Sequence, residues 1–249
     1  MRRPAGRSPL AFSVISITRN WVFGLDGDLI HSVINAIGKE IRAGKILRSM
    51  SNASEMEILP VTLEGQYTRL EPLSLMHREA LNVAAADGEL WNSIVTIVPT
   101  RDTMAEYIEA ALAEQAKGSE LPFAIVQKAT NRIVGTTRFY YIQPHQRNAA
   151  IGYTWVAASA QRTAINTEAK LLLLTHAFEH WHCVRIEFIT DVLNEQSRAA
   201  ILRLGARQEG ILRNHLIMPN GRIRDSVCFS IIAEEWPAVK AGLAARLAL

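Results

Sequence analysis

Cysteine is nearly absent from this 249-residue chain, with Cys183 and Cys228 the only two. Two thiols in separate strand-like runs cannot build a metal cluster on their own. They are expected reduced and buried rather than joined. Long apolar runs are missing as well. Apolar residues make up 49% of the chain, yet no stretch reaches the roughly 18 uninterrupted apolar residues that a spanning helix needs. The start, MRRPAGRSPLAFSVISITRNWVFGLDGD, is basic with a short apolar run. Ser, Thr, Arg and Asn break that run and no small-residue cleavage site is evident, so a secretory signal is not expected. The reading is a cytoplasmic protein with no membrane partner.

A strong charge of one sign is also lacking. The net charge of +3 is unevenly placed: residues 1–55 hold eight Lys and Arg against four Asp and Glu, and the remainder holds 19 against 20. The body therefore has no electrostatic footprint for a polyanion. Were the first segment a nucleic-acid arm, binding would be salt-sensitive and would vanish with residues 1–55. That segment differs in character from the rest. DLIHSVINAIGKEIRAGKILRSM spaces Leu29, Val33, Ile37 and Ile41 as an amphipathic helix, and SNASE reads as a linker. The expected division is an N-terminal extension over 1–55, or a translation start at Met56 instead, and one domain over 56–249.

From Met56 the pattern is regular. VTLEGQYTRLEPL alternates like a hairpin turning at Gly65. SLMHREALNVAAAD is helical, with Ser74 as N-cap and Gly88 past its end. In TRDTMAEYIEAALAEQAKG, Met104, Tyr107, Ile108, Ala111 and Leu112 share a face and Gly118 closes the helix. PFAIVQKA, RIVGTTRFYYIQ and AAIGYTWVA form a meander. A helix TEAKLLLLTHAFEHW, a strand VRIEFITD and a helix EQSRAAILRLG follow. ARQEGILRNHLIM and RIRDSVCFSII close the sheet across Pro219-Asn220-Gly221, and a last helix starts from Glu234. No internal repeat or low-complexity tract appears. The class is α+β.

One more absence carries the functional argument. QRTAINTEAK, residues 161–170, stands between a strand and a helix like a phosphate-binding turn, but has no glycine. A helix start offers about four free backbone N–H groups and a partial positive charge. Gln161, Arg162, Thr163, Asn166 and Thr167 add side-chain donors. Asn166 tolerates a left-handed backbone, Thr167 can cap the helix, and Ala164 and Asn166 are small enough where glycine would sit. A capped helix with nothing bound is the plain alternative. After the next strand, Asn194 and Ser197 open another helix, as a cap or as ligand contacts.

Together these segments resemble the GNAT family of acetyl-CoA-dependent N-acetyltransferases, in its RimJ/RimL-type branch of ribosomal-protein N-terminal acetyltransferases. The carriers are IGYTWVAASAQRTAINTEAKLLLLTHAFE, RIEFITDVLNEQSRAAILRLGARQEGILR and NGRIRDSVCFSII, within residues 56–236. The family loop runs Gln/Arg-x-x-Gly-x-Gly/Ala. Gln161 matches its first position, Ala164 and Asn166 replace the later small residues, and RTAINTE fits an Arg-Thr-x-x-Asn-Thr-Glu variant.

The resemblance implies a mixed, mostly antiparallel sheet of about seven strands with helices on both faces. It also implies a cleft where the strand IGYTWVA splays from the strand VRIEFIT. Acetyl-CoA would be the co-substrate, with no metal. Its pantetheine would pair with Trp155 and Val156, and its pyrophosphate would sit on the N–H groups of residues 162–167: Arg162, Thr163, Ala164, Ile165, Asn166 and Thr167. Asn194 would bind the pantetheine amide and Ser197 would lie near the sulfur.

Transfer to an amine by direct attack needs a neutral amine, a polarised carbonyl and a protonated leaving thiolate. Ser197 is the expected proton donor and Glu187 the expected base, each with a plain structural alternative. His145 and His215 are weaker bases. Tyr153 and Trp155 read as core or acyl-pocket wall, and Cys183 is no nucleophile, because adjacency in a strand turns His182 to the opposite face. The acceptor is a protein N-terminus or a small-molecule amine, and a homodimer stays open. The alternative function is a non-catalytic acyl-CoA-binding domain.

Overall fold

The computed structural model describes residues 56–248. The expected amphipathic helix within 28–50, the linker and the extension lie outside the described residues. Eight strands form one sheet in the order β1-β2-β3-β4-β5-β6-β8-β7. The hairpin expected around Gly65 contributes β1 (Leu63–Glu64) and β2 (Thr68–Pro72). The two-residue β1 takes the count past seven. The meander is β3 (Leu121–Gln127), β4 (Arg132–Gln143) and β5 (Asn148–Val156). β6 (Arg185–Asp191), β7 (Arg207–Ile217) and β8 (Ile223–Ile232) complete the sheet. Gly221, at φ +79, makes the last hairpin turn, where the Gly221 and Met218 amides close on the Met218 and Arg222 carbonyls at 2.8 Å each.

Helices cover both faces. α1 (Arg78–Ala86) packs on β4 and α2 (Met104–Ala116) on β3. In α2, Met104, Ile108 and Ala111 fall at i, i+4 and i+7 and are fully buried, as the spacing requires. Gly118, at φ +74, follows its C-terminus. α3 (Ala164–Thr175) packs on β2 and on α5 (Trp236–Leu247), and α4 (Glu195–Leu204) lies between β6 and β7 in sequence. Neighbouring residues of β4 show that α2 and α3 sit on opposite faces. The Arg138 guanidinium lies over the Tyr107 ring of α2, whereas Thr137 reaches Lys170 of α3.

The ladder between β4 and β5 is broken twice. Thr136 faces Trp155 and Arg138 faces Gly152, so Tyr153 and Thr154 stand opposite Thr137 alone. A second shift lies between Tyr140 and Gln143. Tyr141 and Tyr153 both adopt positive φ, at +49 and +50. Such bulges bend a strand and increase its twist. β5 then meets β6 in parallel at only three positions, the last being Ala150 opposite Glu187. Beyond it β5 continues to Val156 without β6, while β6 continues to Asp191 paired with β8. The sheet is therefore split between these two strands, as the resemblance implied.

Candidate functional site

The split opens upward from the Ala150–Glu187 rung. Its β5 wall ends in Trp155 and Val156, both buried. Their backbones point in different directions. A Cβ on Gly135 would lie 2.0 Å from the Trp155 carbonyl oxygen, so that carbonyl is turned toward β4. The Val156 carbonyl is turned away from β4 and accepts Gln161 Nε2 at 2.9 Å. Gln161 Oε1 in turn accepts Gln196 Nε2 of α4 at 3.4 Å, so the side chain bridges the two walls at the mouth.

The glycine-free loop is solved differently from the sequence expectation. Thr163, not Thr167, caps α3: its Oγ1 accepts the Ile165 amide at 3.4 Å and donates to the Ala160 carbonyl at 2.7 Å. Asn166 and Thr167 fall in the first helical turn, so Asn166 does not take the left-handed position. Arg162 does, at φ +58, with its side chain exposed. The sequence expectation failed because a Thr at 163 already satisfies the cap, which moves the helix start four residues earlier. Ala164 and Asn166 sit in the first turn, where amides lack intrahelical acceptors, and a cationic Arg162 flanks them. The Oδ1 atom of Asn166 is buried without a partner.

On the β6 wall, Asn194 caps α4. Its Oδ1 accepts the Ser197 amide at 2.9 Å and its Nδ2 donates to Thr96 Oγ1 at 3.1 Å. Ser197 is half-buried in the first turn of α4. The fully buried Asp191, at the end of β6, pairs with Arg222, whose Nη2 also donates to the Ile94 carbonyl at 2.8 Å. The loop around Ile94 and Thr96 is thus tied to both α4 and the β7–β8 hairpin.

Glu187 occupies the apex rung, and its carboxylate accepts Arg185 Nε at 2.9 Å. Arg185 also grips Glu209 through both terminal nitrogens. This ion-pair fork, with Ser230 donating to Glu209 at 2.7 Å, holds the Glu209 carboxyl down to about 2. Beside Glu187 the Tyr140 phenol is pushed well above its usual value by burial and then by neighbouring Tyr153.

On the same face Arg138, 5% exposed, pairs with Glu120 at 2.7 Å and lies 4.1 Å from the Tyr153 ring centroid and 5.0 Å from that of Tyr107. Arg138, Tyr140 and Tyr107 were not singled out as site residues from the sequence. Tyr107 was placed only on the shared face of its helix, and the run FYY gave no sign that the Tyr140 ring would pack against both Tyr141 and Tyr153. His145 is exposed in a turn, and His215 bonds Ser226 Oγ at 3.0 Å on the outer strand β7. Cys183 is buried and its thiol is pushed up to about 12 by that burial, unlike a nucleophile. Both cysteines are free. Among the described residues no group of three His, Cys, Asp or Glu could hold a metal, and no helix is long and apolar enough to cross a membrane.

Residues 68–207 match the family described as "Acetyltransferase (GNAT) domain". A protein named "Putative ribosomal N-acetyltransferase YdaF" of Bacillus subtilis (strain 168) is 34% identical over 108 residues, covering 43% of this chain and 58% of the relative. The chain thus matches a little over half the length of that relative. The crystal structure of a GCN5-related N-acetyltransferase from Brucella melitensis superposes with a TM-score of 0.68 at 30% identity, covering 76% of this chain and 86% of that one. Mycobacterium smegmatis RimJ, in complex with CoA-disulfide, gives 0.66 at 25% identity over 76% and 96% of the two chains.

Proposed function

The chain belongs to the GNAT acetyltransferase family, and from that premise we propose that it moves the acetyl group of acetyl-CoA to a primary amine by direct attack in a ternary complex. The observation that carries this reading is the split between β5 and β6 with a helix N-terminus at its mouth. A pyrophosphate is the anion that such a start accommodates, through the amides of Ala164 and Asn166 in the first turn and the Arg162 guanidinium. The Val156 backbone would pair with pantetheine once Gln161 lets go of its carbonyl.

The chemistry asks for positioning and proton movement. The amine nitrogen bonds to the thioester carbon, the carbon–sulfur bond breaks, and the amine proton leaves through Glu187 or a water it orients. Ser197 supplies a proton to the thiolate, while Asn194 holds the start of α4. The acceptor favoured here is a protein N-terminal amine; in support of a protein acceptor, the Bacillus relative is named a ribosomal N-acetyltransferase. Residues 56–249 would be the catalytic domain and residues 1–55 an extension outside it. A non-catalytic acyl-CoA binder is the second reading, supported by the hold of Arg185 on Glu187.

Titration calorimetry with acetyl-CoA, followed by CoA-thiol release against peptides with free N-termini and against small amines, tests both. Binding with release on peptides supports the first reading. Binding without release on any amine supports the second, and no binding rejects both.

A further inference from the structure

α3 carries a lysine where an amphipathic helix would place an apolar residue. Lys170 is 7% exposed and points into the sheet. Among the described residues its Nζ meets two hydroxyls, Thr154 Oγ1 at 2.6 Å and Thr137 Oγ1 at 3.1 Å. Those hydroxyls are 2.8 Å apart, and Thr154 Oγ1 also reaches the Gly152 carbonyl at 3.3 Å. Among the described residues no carboxylate approaches it. Glu168, on its own helix, spends both oxygens on the amides of Gln66, Tyr67 and Thr68. On β4, Arg138 faces the other side and pairs with Glu120. On β2, Arg69 pairs with Glu71, and on α5, Lys240 pairs with Glu179.

An ammonium buried without a counter-ion is costly, and such groups lose their proton instead. Burial alone pushes Lys170 down to about 7. Hydroxyls suit either state: they accept from an ammonium, and one can turn its proton onto the lone pair of an amine. Lys170 lies six residues into α3, about 9 Å along the axis from Ala164 at the helix start. The same helix therefore presents an anion cradle at its tip and a titrating amine beneath it.

We infer that Lys170 is a proton-binding site coupled to that cradle, an amine when the cradle is empty and an ammonium once a diphosphate occupies the N-terminus of α3. The proton comes from solvent to the Nζ lone pair, and the threonine hydroxyls turn from donor to acceptor. A unit charge about 10 Å away at an effective dielectric near 20 moves a pKa by roughly one unit. The inference rests on the cradle reading and adds a proton to it.

Acetyl-CoA binding should then be measured at pH 7.5 by titration calorimetry in buffers of different ionisation enthalpy, whose slope counts protons. The wild-type protein is expected to take up about half a proton per ligand. Lys170→Met should bind acetyl-CoA with no such uptake. Lys170→Gln, which keeps a donor toward the threonines, should match it and guards against a folding defect in the first variant. Wild-type binding without proton uptake, or uptake in both variants equal to that of the wild type, overturns the coupling and leaves the cradle standing. Absence of binding by the wild type overturns the cradle and the coupling together.

Discussion

The carboxylate of Glu168 on α3 accepts the amide of Thr68 at 2.6 Å, at the start of β2. It also takes the Gln66 and Tyr67 amides at 2.7 Å each. One buried side chain therefore closes the β1–β2 turn onto the helix proposed to offer the cradle. Gly65 is part of the same fit, since a Cβ there would lie 2.4 Å from the Glu168 carboxyl carbon. Glu168→Ala leaves three amides unpaired and should cost on the order of 3 kcal/mol. Gly65→Ala should also destabilise. Urea midpoints check both, and an unchanged midpoint for Glu168→Ala would show that the turn does not depend on this carboxylate.

Lys170 makes a separate prediction about stability. Its folded value near 7 lies below that of an unfolded lysine, near 10.5. Between those values the unfolded chain binds more protons, so this residue makes stability rise with pH across that window, and its penalty is complete below pH 7. Lys170→Met should therefore stabilise the fold most at pH 6, on the order of 3 kcal/mol, with the gain fading toward pH 10. Denaturation midpoints of both proteins across that range give the answer. A pH-independent difference would mean that the lysine is charged throughout.

The two lysine and glutamate contacts show where the sequence stopped being legible. Periodicity was enough for the meander, the α2 face and the closing hairpin, because Met104, Ile108, Ala111 and the Asn-Gly turn each satisfy a local rule. The splay was reachable only through family resemblance, since it depends on bulges at Tyr141 and Tyr153, where the positive φ falls on tyrosines rather than on glycine. The cap was misplaced by four residues because Thr163 and Thr167 are equally good caps in isolation. Lys170 looked like one charge in a leucine-rich helix. Its burial is set by how α3 lies over Thr137 and Thr154, distant in sequence.

Arg162 holds a left-handed backbone that glycine adopts freely. Arg162→Gly should relieve strain of about 1 kcal/mol, less what glycine loses in unfolded-state entropy. The same change removes a cation from the cradle. The expected outcome is equal or greater thermal stability together with acetyl-CoA affinity weakened several-fold, more so at low salt. Unchanged affinity would show that the backbone amides, not the guanidinium, do the binding.

Ser197→Ala removes a hydroxyl while leaving the Asn194 cap, which uses the Ser197 amide. It should lower kcat about 100-fold, within the range for a general acid, with acetyl-CoA affinity unchanged. Glu187→Gln should lower the rate similarly, again with acetyl-CoA affinity unchanged. Retention of the full rate by either variant removes that residue from the proton path.

Thr163→Asp separates the fold from the cradle most cleanly. Asp caps a helix at least as well as Thr, and a negative charge at this end is favoured by the helix dipole. The thermal midpoint should therefore hold or rise, even though the bond from Thr163 Oγ1 to the Ala160 carbonyl is lost. That charge stands where the pyrophosphate is proposed to sit, so acetyl-CoA affinity should fall at least about tenfold, and added salt should recover part of the loss. Intact stability with weakened binding is the signature of an anion site. If affinity were unaffected, the phosphates would have to lie elsewhere along the cleft, and the amides of Ala164 and Asn166 would be ordinary helix-start donors facing water.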